Sequence, residues 1–269
     1  MEGGCIDKYF YIFIIQENMK KLLIGALLVL ETIMAYGEKI AVIGAMDSEI
    51  NLLKSEMKDV KEKKIGTITF YEGELEGKEI VLLKTGVGKV NAAVGANTVI
   101  REFDADKIIF TGVAGAINKK LNVADVVISK DLVQHDVDLT AFDRPMGLIP
   151  GEKKVEFDAD PNLIKIAESS AIKVLGKDKV MIGRIATGDQ FIANKEKVKF
   201  LGEQFQDDAV EMEGAAVAQV AQIYEVPFVV LRALSDKADG EAEITYDEFV
   251  QIAANNSAKI VKEMLKNMK

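Results

Sequence analysis

The sequence predicts a single α/β domain with a central mixed β-sheet flanked by helices. Three observations predict it. Short apolar runs bounded by glycine alternate with helix-length segments from residue 38 to the C-terminus. Most of these runs are continuously apolar, the pattern of strands buried on both faces. Polar residues and glycines recur where the strands end, at Glu49, Gly86, Gly112, Gly188, Glu213 and Asp236. In open α/β sheets ligands bind at the carboxyl ends of strands, so these positions are expected to converge on one cleft. A chain of 269 residues, 49% of them apolar, suits one domain with a sizeable core.

The elements follow in order. Lys39 to Gly44 reads as a buried strand, and Asp47 or Ser48 can cap a helix running to about Met57. Glu49 then falls in the first turn of that helix, where the plainer alternative is a carboxylate that only complements the helix dipole. Ile65 to Tyr71 and Glu79 to Lys84 suggest antiparallel strands around Gly73 and Gly77. Thr85-Gly86-Val87-Gly88-Lys89 opens a helix to about Glu102; a P-loop would need glycine at Leu83, so that motif fails. Ile108 to Phe110 is a strand ending in Thr111-Gly112-Val113-Ala114-Gly115, where glycines admit close approach to the backbone or form an ordinary turn. Val126 to Ser129 and Leu132 to Asp138 read as two further strands, and Thr140 to Gly151 as a loop. A helix from about Pro161 to Leu175, a strand from Val180 to Ala186 and a helix near Lys195 to Phe205 come next. The Glu211/Glu213 strand leads into a small-residue helix, Ala215 to Tyr224. Pro227 to Leu234 is an apolar strand finishing at Ser235-Asp236, and Tyr246 to Lys266 is an amphipathic helix.

The N-terminal 37 residues differ in kind. Met19-Lys20-Lys21, an uncharged stretch from Leu22 to Leu30 and the small-x-small site Ala35-Tyr36-Gly37 have the layout of a secretory signal peptide over 19–37. The stretch is shorter than the roughly twenty residues of a membrane span. The expectation is an exported, periplasmic protein with no stable membrane insertion after cleavage, whose folded domain occupies 38–269. The alternative is an uncleaved anchor, or a tail on a cytoplasmic enzyme.

Composition excludes several classes. A net charge of −9 without a basic run argues against nucleic acid as a partner. The single Cys5 excludes a disulfide framework and a thiolate metal site. The single His135 excludes a His-rich metal centre and reads as structural.

The most informative stretch is Val210-Glu211-Met212-Glu213-Gly214. On a strand, Glu211 and Glu213 would share one face and Val210 and Met212 the other. An exposed edge strand could carry such a pair freely. Here the small apolar flanks indicate core, where a carboxylate pair needs a cationic or hydrogen-bonding partner. The expectation is that these carboxylates face a cleft and bind hydroxyls.

Taken together, these strand ends resemble the purine nucleoside phosphorylase/nucleosidase superfamily. More narrowly, they resemble the bacterial 5′-methylthioadenosine/S-adenosylhomocysteine nucleosidases. The resemblance rests on Ile43-Gly44-Ala45-Met46 with Glu49, Thr85 to Val90, Thr111 to Gly115, Val133 to Asp138, Gly188 to Ile192, Val210 to Gly214 and Leu231 to Asp236. It implies a nucleoside phosphorylase-like fold and a homodimer that hydrolyses adenine nucleosides without a cofactor or metal. It implies Asp236 as the acid that protonates the departing purine, with Ser235 orienting it, and Glu49 as the base for the attacking water. Glu213 would accept from the ribose hydroxyls, with Glu211 beside it and Met212 packing on the sugar. Phe191 would stack on adenine while the backbone of Ile192 reads its edge. Met46, Val87, Val113, Ala114 and Gly115 complete the wall. Tyr246 stands where the family has phenylalanine in the 5′ pocket, a departure that bears on substrate preference. Leu139, Phe142 and Pro150 would close the pocket of the partner subunit.

The chemistry agrees. Cleaving an N-glycosidic bond develops positive charge on the ribose, which a carboxylate stabilises, and it needs an acid at the base and a base at the water. Differently buried carboxyls can hold these opposite protonation states. The rival readings are a phosphorylase of the same fold, which would need cations at the glycine loops, and an exported nucleoside-binding protein without turnover.

Overall fold

A computed structural model describes residues 37–238 and 242–268, together with residues 13, 17 and 19–21. The leader expected over 19–37 falls almost wholly outside the described residues. Among the described residues no helix is long and apolar enough to cross a membrane.

Ten strands form one sheet: β1 (Ile40–Gly44), β2 (Lys58–Ile65), β3 (Ile68–Leu75), β4 (Lys78–Lys84), β5 (Lys107–Ala116), β6 (Val126–Gln134), β7 (Glu156–Asp158), β8 (Val180–Thr187), β9 (Ala209–Glu211) and β10 (Phe228–Asp236). Among the described residues from 37 onward, six α-helices accompany them: α1 (Asp47–Glu56), α2 (Lys89–Phe103), α3 (Pro161–Leu175), α4 (Lys195–Phe205), α5 (Gly214–Ile223) and α6 (Ala242–Asn267). The sheet is mixed, as expected. β1 runs parallel to β4 and β5, and β5 parallel to β10, whereas β10–β6 and β5–β9 are antiparallel.

Because β10 pairs with both β5 and β6, the strands β5, β10, β6, β8 and β9 close on themselves. The strands β1, β4, β3 and β2 extend the sheet from β5. This closure positions the site. Gly115 pairs with Asp236 on one side and with Val210 on the other, so the ends of β10 and β9 meet beside the end of β5.

Both faces of the sheet are covered. Ala92, Ala96 and Val99 of α2 and Ala215, Ala218 and Ala221 of α5 pack into one core with Ile108, Phe110 and Val230. Ile50 and Leu53 of α1, Leu163 and Ala167 of α3, and Ala254, Val261 and Leu265 of α6 pack into another with Val42, Ile109 and Leu231. Small residues on α5 let it lie close against the sheet. Burial of these apolar surfaces is the main favourable term for the fold.

The structure corrects several expectations. Lys58–Ile65 is a strand that its charged sequence hid; it lies at the sheet edge, where solvated lysines protect against edge pairing. Ile65 therefore ends β2, and the turn to β3 falls at Gly66 with φ +60°. The two strands expected around Ser129 and Leu132 are one continuous β6, with a register irregularity near Lys130 in its pairing with β8. The short β7 was not expected. The helix after β1 is capped by Met46 and not by Asp47 or Ser48, because Glu49 reaches back to the Met46 amide at 2.9 Å.

Candidate active site

The strand carrying the glutamate pair ends at Glu211. Glu213 is the residue before α5, with φ −141° and ψ −38°, so alternation along a strand does not govern the pair. Gly214 starts the helix directly, and the chain turns between the two glutamates. Val210, Glu211, Met212 and Glu213 consequently all line the same cavity.

That cavity has a volume of about 240 Å³. It brings together Met46, Glu49, Val87, Val113, Ala114, Gly115, Phe191, Glu211, Met212, Glu213, Ser235, Asp236 and Tyr246, residues from seven separate stretches of sequence. Ile192 lines a small adjoining recess with Phe191, Met212 and Asp236. Leu139 and Pro150 lie on a different groove, and Phe142 is 74% exposed. These three do not reach the cavity of their own chain as lining residues.

The carboxylates differ in their partners. Glu49 is buried beneath the start of α1. One oxygen accepts from the amides of Ala45 and Met46 at 2.6 and 2.9 Å, the other from Val113 at 3.1 Å. Burial raises its pKa, against the opposing pull of Arg232 and the three amides. Glu49 thus does more than complement a helix dipole. A side chain at Gly112 would meet both Glu49 Oε1 (2.7 Å) and Arg232 Nη1 (2.6 Å), so glycine is required there by close approach.

Glu211 is the anchor of the cluster. It takes Arg232 Nη2 at 2.6 Å, the amides of Glu213 and Gly214 at 3.1 and 2.7 Å, and the Thr187 hydroxyl. Glu213 accepts from the Gly88 amide at 2.8 Å, and Arg232 stands 3.9 Å from its other oxygen. Burial and the neighbouring Glu211 push the Glu213 carboxyl up to about 8, with Arg232 opposing. Hydroxyls donated by a bound sugar would favour its ionised form.

Asp236 closes the far side. One oxygen accepts from Ser235 Oγ at 2.9 Å, the other from the Ala238 amide at 2.7 Å. A Cβ at Gly115 would stand 2.8 Å from Asp236 Oδ1, which explains glycine at the junction of β5, β9 and β10. Phe191 and Tyr246 meet edge to face at 5.9 Å, and the Tyr246 hydroxyl lies 3.2 Å from Met46 Sδ. Burial, followed by the surrounding carboxylates, raises the Tyr246 pKa and keeps its hydroxyl protonated.

Arg232 is the functional residue that the sequence reading left unassigned. It is 1% exposed, interacts with Glu211 and Glu213, and stacks 4.1 Å from the Phe110 ring. The signal was present: an arginine inside the apolar strand Phe228–Asp236 needs buried carboxylates, and the glutamate pair needs a buried cation. Gly88 entered only as part of a glycine loop that opens a helix, and Thr187 was not singled out. Among the described residues no group of His, Cys, Asp and Glu could hold a metal ion.

Comparison with known proteins places this geometry. The profile of the phosphorylase superfamily matches residues 39–266. The 5′-methylthioadenosine/S-adenosylhomocysteine nucleosidase of Bacillus licheniformis is 46% identical over 231 residues, 86% of this chain and 99% of that protein. The chain belongs to this nucleosidase family. The Bacillus subtilis nucleosidase is 43% identical over 86% of the chain and 99% of its own length. The crystal structure of the Neisseria meningitidis nucleosidase with methylthio-immucillin-A superimposes with a TM-score of 0.83. It is 46% identical, and the match covers 86% of this chain and 100% of that one. Futalosine hydrolase of Helicobacter pylori, at 39% identity, superimposes with a TM-score of 0.82 over 86% and 98% of the two chains. The expected α/β fold is thus the nucleosidase-family fold, and the family resemblance read from the strand ends holds.

Proposed function

We propose that the protein hydrolyses the N-glycosidic bond of 5′-methylthioadenosine and S-adenosylhomocysteine, releasing adenine and the 5′-substituted ribose. Relatives carrying those names, at 41–46% identity over nearly their full length, support the substrate class. The futalosine hydrolase likeness supports a futalosine-type nucleoside, 6-amino-6-deoxyfutalosine, as a further substrate, alongside 5′-deoxyadenosine.

One observation carries the choice of water over phosphate as acceptor. The cavity is walled by four carboxylates, Glu49, Glu211, Glu213 and Asp236, and the arginine behind them is engaged by Glu211. Lys89, the nearest lysine in the glycine loops, is engaged by Gln134 and Asp136. A phosphate dianion would find no free cation to pair with among the described residues that line the cavity.

In this reading Asp236, oriented by Ser235, delivers a proton to the purine as the C–N bond breaks. The electron pair of that bond leaves with adenine. Glu49 takes a proton from the water that attacks the anomeric carbon. Glu213 holds the ribose hydroxyls and offers negative charge to the developing cation, and Phe191 stacks on the base.

The proposal includes a homodimer in which Leu139, Phe142 and Pro150 of one subunit cap the pocket of the other. An exposed apolar stripe supports it: Val90 and Val94 on α2 are 75% and 51% exposed, and Asn97 on the same stripe bonds the half-exposed Tyr224. It also includes export through the leader at 19–37, supported by the sequence and tested by N-terminal sequencing from the native cell. An intact N-terminus in the cytosol overturns export alone.

The activity is tested by comparing kcat/KM for methylthioadenosine, S-adenosylhomocysteine, 5′-deoxyadenosine and 6-amino-6-deoxyfutalosine. Adenine release from the first two is expected. Binding without release of adenine would make the protein a nucleoside-binding protein and refute the proposal.

A further inference from the structure

The loops that follow β4, β6 and β8 meet in a polar cluster at the edge of the cavity, and this cluster has no part in the chemistry above. At its centre is Asp136, two residues beyond β6. One of its oxygens takes the Lys89 ammonium at 2.6 Å and the other takes the Asp189 amide at 3.0 Å. The Asp189 carboxylate in turn accepts the Lys89 amide at 2.8 Å. Lys89 Nζ also reaches Gln134 Oε1 at 3.2 Å, and Gln134 is itself oriented by Gln219 at 2.8 Å. Both members of the ion pair are largely shielded, with side-chain exposures of 20% for Lys89 and 16% for Asp136.

The consecutive amides of Gly88 and Lys89 explain why this matters. They are the first free donors of α2, and each is held by a different carboxylate: Gly88 by Glu213, Lys89 by Asp189. Asp189 lies two residues before Phe191. The ring against which a base would stack and the carboxylate that would take the ribose are therefore tied to adjacent peptides of one helix terminus. Burial alone would raise the Asp136 pKa, yet the Lys89 ammonium and the Asp189 amide hold it below its ordinary value, so the cluster stays charged.

We infer that Asp136 is a positioning residue. Through Lys89 and Asp189 it locks the loop that holds Glu213 onto the loop that carries Phe191. The inference rests on the nucleosidase reading, and it adds a role for three residues that do not touch the reacting atoms. Charge-assisted hydrogen bonds in a shielded place are worth enough to set the loop spacing. A cavity whose two halves are held at fixed spacing presents base and sugar contacts together, which is the geometric requirement for efficient cleavage.

The test compares Asp136→Ala, Lys89→Met and Asp189→Ala with the native enzyme. Asp189 is exposed, so its truncation leaves the core intact. Adenine affinity by calorimetry and KM for methylthioadenosine should each worsen on the order of tenfold in every variant. The Asp136→Ala/Lys89→Met double variant should be no worse than the poorer single variant, because both break one lock. A purely structural role would lower Tm and the active fraction while leaving the adenine Kd of folded enzyme unchanged. That result, or independent multiplication of the Asp136 and Lys89 effects, would overturn the lock. Native protein that neither binds adenine nor cleaves methylthioadenosine would instead refute the nucleosidase reading beneath it.

Discussion

Two arginines, Arg232 fully buried and Arg184 partly so, organise two carboxylate clusters in this domain, and only one has the makings of a site. Arg232 on β10 gathers Glu49, Glu211 and Glu213. Arg184 on β8 gathers Asp131 through a two-pronged contact, with Asp207 and Asp208 nearby. The first cluster lines the cavity, and each of its carboxylates accepts at least one backbone amide. In the second, Asp208 is held by Asn118 and the Arg184 amide, but Asp207 is 4% exposed with neither oxygen hydrogen-bonded. Burying charge beside an arginine is therefore not what marks a site. What marks it is a set of amides aimed at carboxylates whose remaining lone pairs face an open space.

The largest expected effect comes from breaking the first cluster's chemistry. Asp236→Asn keeps the shape and the acceptor for Ala238 but has no proton to give. Its kcat should fall by roughly 10²–10⁴-fold with substrate binding retained. A riboside with a p-nitrophenyl leaving group should restore turnover in this variant, because that group departs unprotonated. Failure of that rescue, or better rescue of Glu49→Gln, would reassign the acid.

Removing the cation is next. Arg232→Met leaves Glu211 and its neighbours buried without a counter-charge, at a cost of about 3–5 kcal/mol in unfolding free energy. Chemical denaturation measures this directly. Arg184→Met also removes a paired guanidinium, yet adenine release per folded molecule should stay at the native rate. Loss of turnover in folded Arg184→Met would erase the distinction between the clusters.

A pH dependence sharpens the comparison from the other side. Burial pushes Asp207 up to about 8 from 3.8. The native state therefore binds a proton that the unfolded chain has released, and stability is fully present below pH 3.8 and lost as pH rises through 8. The contribution of this one group to the slope is at most about 1.4 kcal/mol per pH unit. Asp207→Asn should flatten stability across that window and raise Tm at pH 8. An unchanged pH profile would mean that Asp207 has a partner.

These contrasts also show what a sequence can carry. Glu49, Glu213 and Asp236 were legible as candidates because each follows or ends an apolar strand, where α/β topology gathers ligands. The two helices α3 and α4 were legible as helix-length segments between strands, and both have the expected bounds, Pro161–Leu175 and Lys195–Phe205. The edge strand Lys58–Ile65 was not, since a strand exposed along nearly its whole length has no apolar signature. Ring closure through β10 was not legible either, because it depends on pairings between residues more than a hundred positions apart, such as Val230 with Phe110. The placement of Val210 and Met212 on the same cavity as Glu211 and Glu213 was misread for a local reason: the strand ends at Glu211, and period-two alternation ends with it.

Four carboxylates wall this cavity, and no cation among its described lining residues is free to meet a phosphate, which makes it a place for water. Adenine release from methylthioadenosine in phosphate-free buffer, with the sugar product identified, tests it most directly. The predicted result is full activity without phosphate, an unchanged rate when phosphate is added, and free 5-methylthioribose as the product. Adenine release that requires phosphate, with recovery of a sugar 1-phosphate, would contradict it.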